Sequence, residues 1–176
     1  LEGSNSSLRQ AILLKPNYTQ AYCNLGVTLQ KLGRLGEAKS SFRKALILKS
    51  DFAEALNNYG AMLQELGQLE EAEACLRKAI TMKSNYALAY YNLGATLQKL
   101  GGLEEAEALY QRAIRLKPRY AEAHRLLAST KKFSIRDERF SKMLELYLDK
   151  SILGEQRCHI SFGLAKASED IGNFRQ

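Results

Sequence analysis

The chain has 176 residues, of which 45% are apolar, so we expect one continuous domain. No apolar run approaches the roughly 18 residues of a membrane span, so we expect no membrane partner. Its net charge of +7 suggests nucleic acid, but the acids and bases form blocks that complement the dipoles of successive helices, so we expect no nucleic-acid partner. Three cysteines without a framework spacing favour reduced thiols and a cytoplasmic protein.

Residues 1–18 predict a single helix followed by a turn at Pro16. Leu1 is in register with Leu35, and Ala11 is in register with Ala45, so this segment matches the second helices further along the chain. The segment therefore predicts half of a two-helix unit whose first helix is missing, and we expect the chain to be a piece of a longer protein.

Residues 19–120 repeat with a period of 34, as the units 19–52, 53–86 and 87–120. Each unit predicts a first helix over its positions 1–14, a closing glycine, and a second helix. A fixed period of this length with two helices per unit predicts an all-α solenoid of stacked antiparallel helix pairs. The recurring glycines are Gly26, Gly60 and Gly94 inside the first helices, and Gly33, Gly67 and Gly101 at their ends.

The first helices are predicted to begin after a capping side chain, which is Asn17, Asp51 or Asn85. Asn17 with Gln20, and Asp51 with Glu54, have the spacing of a capping box. The glycines at the helix ends are expected to adopt the left-handed conformation that closes a helix.

A glycine inside a helix costs roughly 1 kcal/mol relative to alanine, so its recurrence needs a structural reason. We expect Gly26, Gly60 and Gly94 to lie where a side chain would keep the second helix of the unit from packing closely. The matching small residues on the second helices are Ala38, Ala72 and Ala106.

The repeat pattern weakens after residue 120. Residues 121–133 predict a degenerate first helix, with His124 and Ala128 in core positions of the pattern. A histidine in such a position is more often packed in the core than used as a catalytic base.

Residues 134–176 predict non-consensus helices. Ser134 and Asp137 have capping-box spacing and are expected to open one helix. A last helix is predicted from Glu155 to Ile171, and it ends in the manner of the first helices of the array. We therefore expect the chain to close with a half unit.

The arrangement of small and aromatic residues over residues 19–120 resembles the tetratricopeptide repeat. This resemblance implies a right-handed superhelix whose concave groove, lined by the first helices, binds a peptide or a segment of a partner protein. The function that it implies is a non-catalytic scaffold for protein–protein interaction. The residues that carry it are Leu25-Gly26, Tyr59-Gly60, Leu93-Gly94, Ala38, Ala72, Ala106, Ala45, Ala79, Ala113, Pro16 and Pro118.

The final 45 or so residues resemble the linker that follows the repeats in bacterial proteins with a sulfotransferase domain. Lys131-Lys132-Phe133 and Phe162-Gly163-Leu164-Ala165 carry this resemblance. It implies an alternative function, in which the chain is the recruiting arm of a larger transferase whose catalytic domain lies beyond Gln176.

Helix geometry assigns positions 2, 5, 6, 9, 12 and 13 of each first helix to the groove. Position 6 is asparagine in all three units, and an asparagine side chain both donates to and accepts from a peptide backbone. This ladder resembles the one in the repeats of O-linked N-acetylglucosamine transferases; the alternative is that these amides hydrogen-bond neighbouring repeats. Tyr91 and Arg125 offer an aromatic and a cationic contact. The candidate groove residues are Asn24, Asn58, Asn92, Gln30, Gln64, Gln98, Asn57, Tyr91 and Arg125.

We predict no catalytic residue, metal site or cofactor. Cys158 and His159 are adjacent on a helix, so their side chains diverge by about 100°, and the scattered cysteines and histidines lack metal-ligand spacing. The half units are expected to leave apolar surface at both ends and to favour end-to-end self-association. The residues expected there are Leu8 and Ile12 at one end, and Leu164 and Phe174 at the other.

Overall fold

The computed structural model describes residues 1–130, 132–134 and 137–172, and within these ranges all regular secondary structure is helical. This confirms the predicted all-α class. No helix in the described ranges combines the length and the apolar composition needed to cross a bilayer. The helices are α1 (Glu2–Leu14), α2 (Thr19–Lys31), α3 (Leu35–Leu48), α4 (Ala53–Glu65), α5 (Leu69–Met82), α6 (Ala87–Lys99), α7 (Leu103–Leu116), α8 (Ala121–Thr130), α9 (Glu138–Leu148) and α10 (Gly154–Ile171).

The turns inside the repeats are closed by glycine, as predicted. The φ angles are 75° at Gly33, 73° at Gly67 and 87° at Gly101. A residue with a side chain is strained at such angles, whereas glycine adopts them readily and reverses the chain directly into the next helix.

The chain divides into two compact units, Leu1–Asn92 and Leu93–Gln176. In the first unit, α2 packs against α3 and α4 packs against α5, while α1 packs on α2 and α3 packs on α4. Leu29, Phe42, Met62 and Leu63 are completely buried in its core.

The second unit has a core of its own. In it α8 packs against α7 and α10, and α10 also packs against α9. Phe133, Met143, Ile160 and Ala167 form one buried cluster. The predictions that involve Lys131 and Phe174 lie outside the described residues.

The glycines inside the first helices each face a fully buried side chain of the second helix. A β-carbon at Gly26 would lie 2.7 Å from the ring of Phe42, and one at Gly60 would lie 2.7 Å from Cγ of Leu76. A β-carbon at Gly94 would lie 2.8 Å from the ring of Tyr110. These distances are shorter than van der Waals contact, which confirms that close helix packing requires glycine at these positions.

The predicted helix caps are wrong for α2 and α4. The N-cap residues are Tyr18 and Phe52, and neither makes a side-chain capping hydrogen bond. Asn17 and Asp51 lie one residue too early in the chain to cap. The aromatic residue that follows each of them occupies the N-cap position instead.

An aromatic residue is packed beneath a lysine at every turn that enters a first helix. Each aromatic residue donates its backbone N–H to the carbonyl of the lysine three residues earlier, at 3.0 to 3.3 Å. The lysine Nζ then lies over the ring, where the positive charge meets the negative face of the π system. The pairs are Lys15 and Tyr18 at 5.4 Å, Lys49 and Phe52 at 5.8 Å, Lys83 and Tyr86 at 5.0 Å, and Lys117 and Tyr120 at 4.4 Å from Nζ to ring centre.

In the second unit, the capping residue of α9 is Asp137 and not Ser134. The carboxylate of Asp137 accepts the backbone N–H of Arg139 at 2.9 Å, and α9 begins at Glu138. The predicted last helix is present as α10, which starts one residue earlier than expected and ends at Ile171, followed by Gly172 as C-cap with φ of 74°.

Candidate peptide-binding surface

Three predicted groove asparagines form a chain of hydrogen bonds through the first unit. Asn92 Nδ2 donates to Asn57 Oδ1 at 2.9 Å, and Asn57 Nδ2 donates to Asn58 Oδ1 at 3.1 Å. Asn58 Nδ2 in turn donates to Cys23 Sγ at 3.7 Å. Side chains from three successive repeats are thereby linked, and we call the set Asn92, Asn57, Asn58 and Cys23 the amide relay.

Asn57, which was predicted at the groove, is buried in the first unit. Its side chain is 1% exposed, and Cys23 at the same position of the preceding repeat is completely buried. Both side chains belong to first helices that pack against neighbouring repeats, so position 5 is covered there by protein. Asn57 joins neighbouring repeats through its hydrogen bond with Asn92, which matches the alternative role considered for the position-6 asparagines.

The asparagine ladder is unequally exposed. Asn24 is exposed, Asn58 is half-buried, and Asn92 is 9% exposed. Asn24 Oδ1 accepts a hydrogen bond from Gln20 Nε2 at 3.1 Å, on its own helix. Of the three, Asn24 and Asn58 offer the surface that a ligand can reach.

Asn24 and Asn58 line one cavity of about 430 Å³ in the first unit. Val27 and Leu8 contribute apolar surface to it, and Glu54 contributes a carboxylate. Asn24, Asn58 and Val27 are groove positions predicted from the sequence. Leu8 was predicted for the apolar surface at the end of the array, and Glu54, although at groove position 2, was assigned to a helix cap.

The glutamines at position 12 mostly bond to other side chains. Gln30 Nε2 donates to Glu65 Oε2 of the following repeat at 2.7 Å. In the second unit, Gln98 Nε2 donates to Ser129 Oγ at 3.0 Å and its Oε1 accepts from the Tyr110 hydroxyl at 2.8 Å. Gln64 is half-buried. These amides contribute to contacts between helices, and their role in ligand binding remains a prediction.

Tyr91 and Arg125 lie in different compact units, so their joint contact also remains a prediction. Tyr91 is half-buried in the first unit. Arg125 is half-buried on α8 of the second unit, and its Nε is buried without a hydrogen-bond partner among the described residues. It lines a cavity of about 350 Å³ together with Ser129, His159, Phe162 and Lys166.

A larger cavity, of about 690 Å³, was missed by sequence reasoning. It lies where α1, α2 and α3 meet, and Ile12, Leu13, Tyr22 and Gly36 are among its lining residues. One feature of the sequence is consistent with this cavity. Gly36 stands where the next two repeats have a glutamate, so the first repeat has less side-chain volume at this position.

The pKa values of Cys23, Cys75 and His124 are all shifted away from the values that favour a nucleophile or a charged imidazole. Burial raises the pKa of Cys23 to about 11, although the hydrogen bond from Asn58 opposes the shift. Burial likewise raises the pKa of Cys75 to about 11. Burial lowers the pKa of His124, whose Nε2 lies 2.9 Å from the carbonyl of Pro118. The described residues also contain no group of three or more histidine, cysteine or acidic side chains that could hold a metal ion.

Models of the tetratricopeptide repeat match residues 19–52 and 51–119, which together make up more than half of the chain. No curated protein matches the sequence. Residues 120–176 lie outside both matched segments, so the resemblance of the final segment to sulfotransferase linkers stays a prediction.

Solved structures share the fold over most of the chain. PilF of Pseudomonas aeruginosa is 25% identical with a TM-score of 0.75, covering 96% of this chain and 79% of that one. MamA from Desulfovibrio magneticus RS-1, from its residue 41 to the end, is 25% identical with a TM-score of 0.72, covering 85% and 86%. The first repeat domain of Spaghetti (RPAP3), bound to the HSP90 peptide SRMEEVD, is 25% identical with a TM-score of 0.62, covering 64% and 89%.

Proposed function

The chain belongs to the tetratricopeptide repeat family, and on this premise we propose that it is a non-catalytic scaffold that binds a peptide segment of a partner protein. The binding surface is the cavity walled by Asn24 and Asn58 in the first unit. The observation that carries the proposal is that amides from two successive repeats line this one cavity. The peptide bound to the related domain of Spaghetti (RPAP3) supports the same class of ligand.

The two amides suit the backbone of an extended peptide. Each can donate to a carbonyl and accept from an N–H, so together they recognise the main chain without reading its side chains. Val27 and Leu8 in the same cavity provide an apolar contact for one peptide side chain. The carboxylate of Glu54 disfavours an acidic side chain at that point.

The amide relay holds the accessible amide of Asn58 in place. Asn58 accepts a hydrogen bond from the buried Asn57, which is itself bonded to Asn92. A side chain whose orientation is fixed before binding loses less conformational entropy when the ligand arrives. We therefore assign Asn57 and Asn92 to positioning, and Asn24 and Asn58 to direct contact.

The test starts from peptides selected against the chain in a displayed random library. The affinity of a selected peptide is measured by fluorescence anisotropy for the chain and for the variant Asn24→Ala/Asn58→Ala. Loss of two amide contacts is expected to weaken binding about tenfold or more. The matched control is Gln10→Ala, an exposed amide on α1 outside this cavity.

Unchanged affinity in the double variant, with its circular dichroism spectrum and melting temperature preserved, would refute the assigned contacts. Equal weakening by Gln10→Ala would place the peptide elsewhere on the first unit. The variant Asn92→Ala separates positioning from contact, because it is expected to reduce affinity only together with stability.

A further inference from the structure

The cavity on α8 and α10 of the second unit is built from two helix faces. Arg125 and Ser129 are one turn apart on α8, while His159, Phe162 and Lys166 are spaced to share one face of α10. Together they enclose about 350 Å³. This region lies outside the segments that match the repeat models.

Close packing of the two helices buries the stem of Arg125. Gly163 is buried on α10, and a β-carbon there would lie 3.7 Å from Cα of Arg125 and 2.6 Å from Sδ of Met143. The absence of a side chain at Gly163 thus brings the α10 backbone close to α8 at this residue. Arg125 Nε is consequently shielded from solvent.

Arg125 is the cation of this cavity that lacks a counter-ion in the described residues. Its Nε has no hydrogen-bond partner there. Lys166, by contrast, donates to Asp170 at 2.5 Å and lies 3.9 Å from Glu169, and His159 lies 3.7 Å from Glu155. A half-buried guanidinium without a partner favours an anion from outside.

The neighbouring groups determine which anion fits. Glu155 stands beside His159, and Glu169 and Asp170 stand beside Lys166, so these carboxylates would repel a doubly charged phosphate. One carboxylate is enough to balance the single unpaired guanidinium. Phe162, which is 63% exposed, supplies an apolar surface beside it.

From this arrangement we propose that the cavity binds a peptide segment in which an acidic side chain is followed by an apolar residue. The carboxylate pairs with the guanidinium of Arg125, and the apolar residue packs against the ring of Phe162. The proposal rests on the proposed peptide-binding function and adds a side-chain preference located in the second unit.

Two blocked tetrapeptides test the proposal: acetyl-Ala-Glu-Leu-Ala-amide and its glutamine counterpart, acetyl-Ala-Gln-Leu-Ala-amide. Each is titrated into the ¹⁵N-labelled chain, and binding is followed by backbone and arginine Nε–H resonances. The glutamate peptide is expected to shift resonances of α8 and α10, and the glutamine peptide to bind about tenfold more weakly. Inorganic phosphate at equal concentration is expected to shift these resonances less.

Two variants locate the contacts. Arg125→Met is expected to abolish the difference between the two peptides, whereas Arg43→Met, which removes an exposed arginine of the first unit, is expected to keep it. Phe162→Ala is expected to weaken both peptides equally. If Arg125→Met fails to fold, the proposal is still tested by comparing the affinities of the glutamate and glutamine peptides for the unaltered chain.

Several results would overturn the proposal. These are equal affinity for the two peptides, binding of neither peptide, a preference that survives Arg125→Met, or tighter binding of phosphate than of the glutamate peptide. None of them bears on the surface at Asn24 and Asn58, because that surface is tested with its own selected peptide and its own variants.

Discussion

Asn92 donates a hydrogen bond at 2.9 Å to Asn57, the residue at position 5 of the preceding repeat, and both side chains are buried. The side-chain amide at position 6 of this first helix therefore donates a hydrogen bond to the side chain at position 5 of the preceding first helix. Because Asn57 also bonds to Asn58, the exposed face of the repeats depends on amides beneath it.

Asn57→Ala is expected to destabilise the chain by about 2 kcal/mol, because it removes the two hydrogen bonds that the buried Asn57 makes with Asn92 and Asn58. Urea denaturation followed by circular dichroism measures the change. Asn24→Ala removes an exposed amide and serves as the control, with an expected change within about 0.5 kcal/mol. Similar losses in the two variants would mean that the amide relay contributes little to stability.

Gly26→Ala is expected to lower the free energy of unfolding by about 1–2 kcal/mol. The new methyl group would overlap the buried ring of Phe42, and this cost exceeds the gain in helix propensity. Gly36→Ala is the matched control, because it lies in helix α3 with no atom within 4 Å of the added carbon. We expect Gly36→Ala to be neutral or slightly stabilising. A destabilised Gly36→Ala together with an unaffected Gly26→Ala would contradict this explanation.

The periodicity of small residues was enough to predict the helix pairs, the closing glycines and the contact at Gly26. These features repeat every 34 residues and depend on local sterics, so the sequence displays them directly. The burial of Asn57 was not predictable in the same way. Helical geometry assigns a direction to a side chain, but whether a neighbouring repeat covers that direction depends on how the helices pack.

The predicted capping residues of α2 and α4 were wrong for a related reason, although both helices begin at the predicted residues. Asn17 and Asp51 have the side chains of good caps, but the aromatic residue one position later, which lies beneath a lysine, occupies the N-cap position. The cavity at Arg125 was also beyond prediction, since its residues come from helices whose contact is not encoded in the repeat pattern.

Lys117→Met is expected to destabilise the second unit by about 0.5–1 kcal/mol, because it removes the cation 4.4 Å from the ring centre of Tyr120 while keeping the apolar stem. Lys117→Arg keeps a cation over the ring and is expected to stay close to the unaltered chain. Lys150→Met removes an exposed lysine as a control. Thermal denaturation compares the three, and equal melting temperatures would argue against an energetic role for this contact.

Cys158 is expected to react with a thiol reagent much faster than Cys23 or Cys75. Cys158 is exposed, whereas Cys23 is fully buried, and a pKa of about 11 leaves Cys23 and Cys75 with about one thousandth of their thiol ionised at pH 8. Release of the coloured product from an aromatic disulfide reagent should show one fast phase, which Cys158→Ser removes. A fast phase that persists in this variant would show that Cys23 or Cys75 is accessible to the reagent.

The free energy of unfolding is expected to fall as the pH is lowered below about 6.5, because of His124. Burial lowers the pKa of this imidazole in the folded chain, so the unfolded chain takes up the proton first, and the stabilising difference present above that pH is lost as the pH falls. The pKa values of Asp137, Asp149 and Asp170 are lowered by their hydrogen bonds, so their contributions are lost only at more acidic pH. His124→Gln should flatten the dependence between pH 7.5 and 5.5 in urea denaturation. An unchanged slope in this variant would assign the effect to other groups.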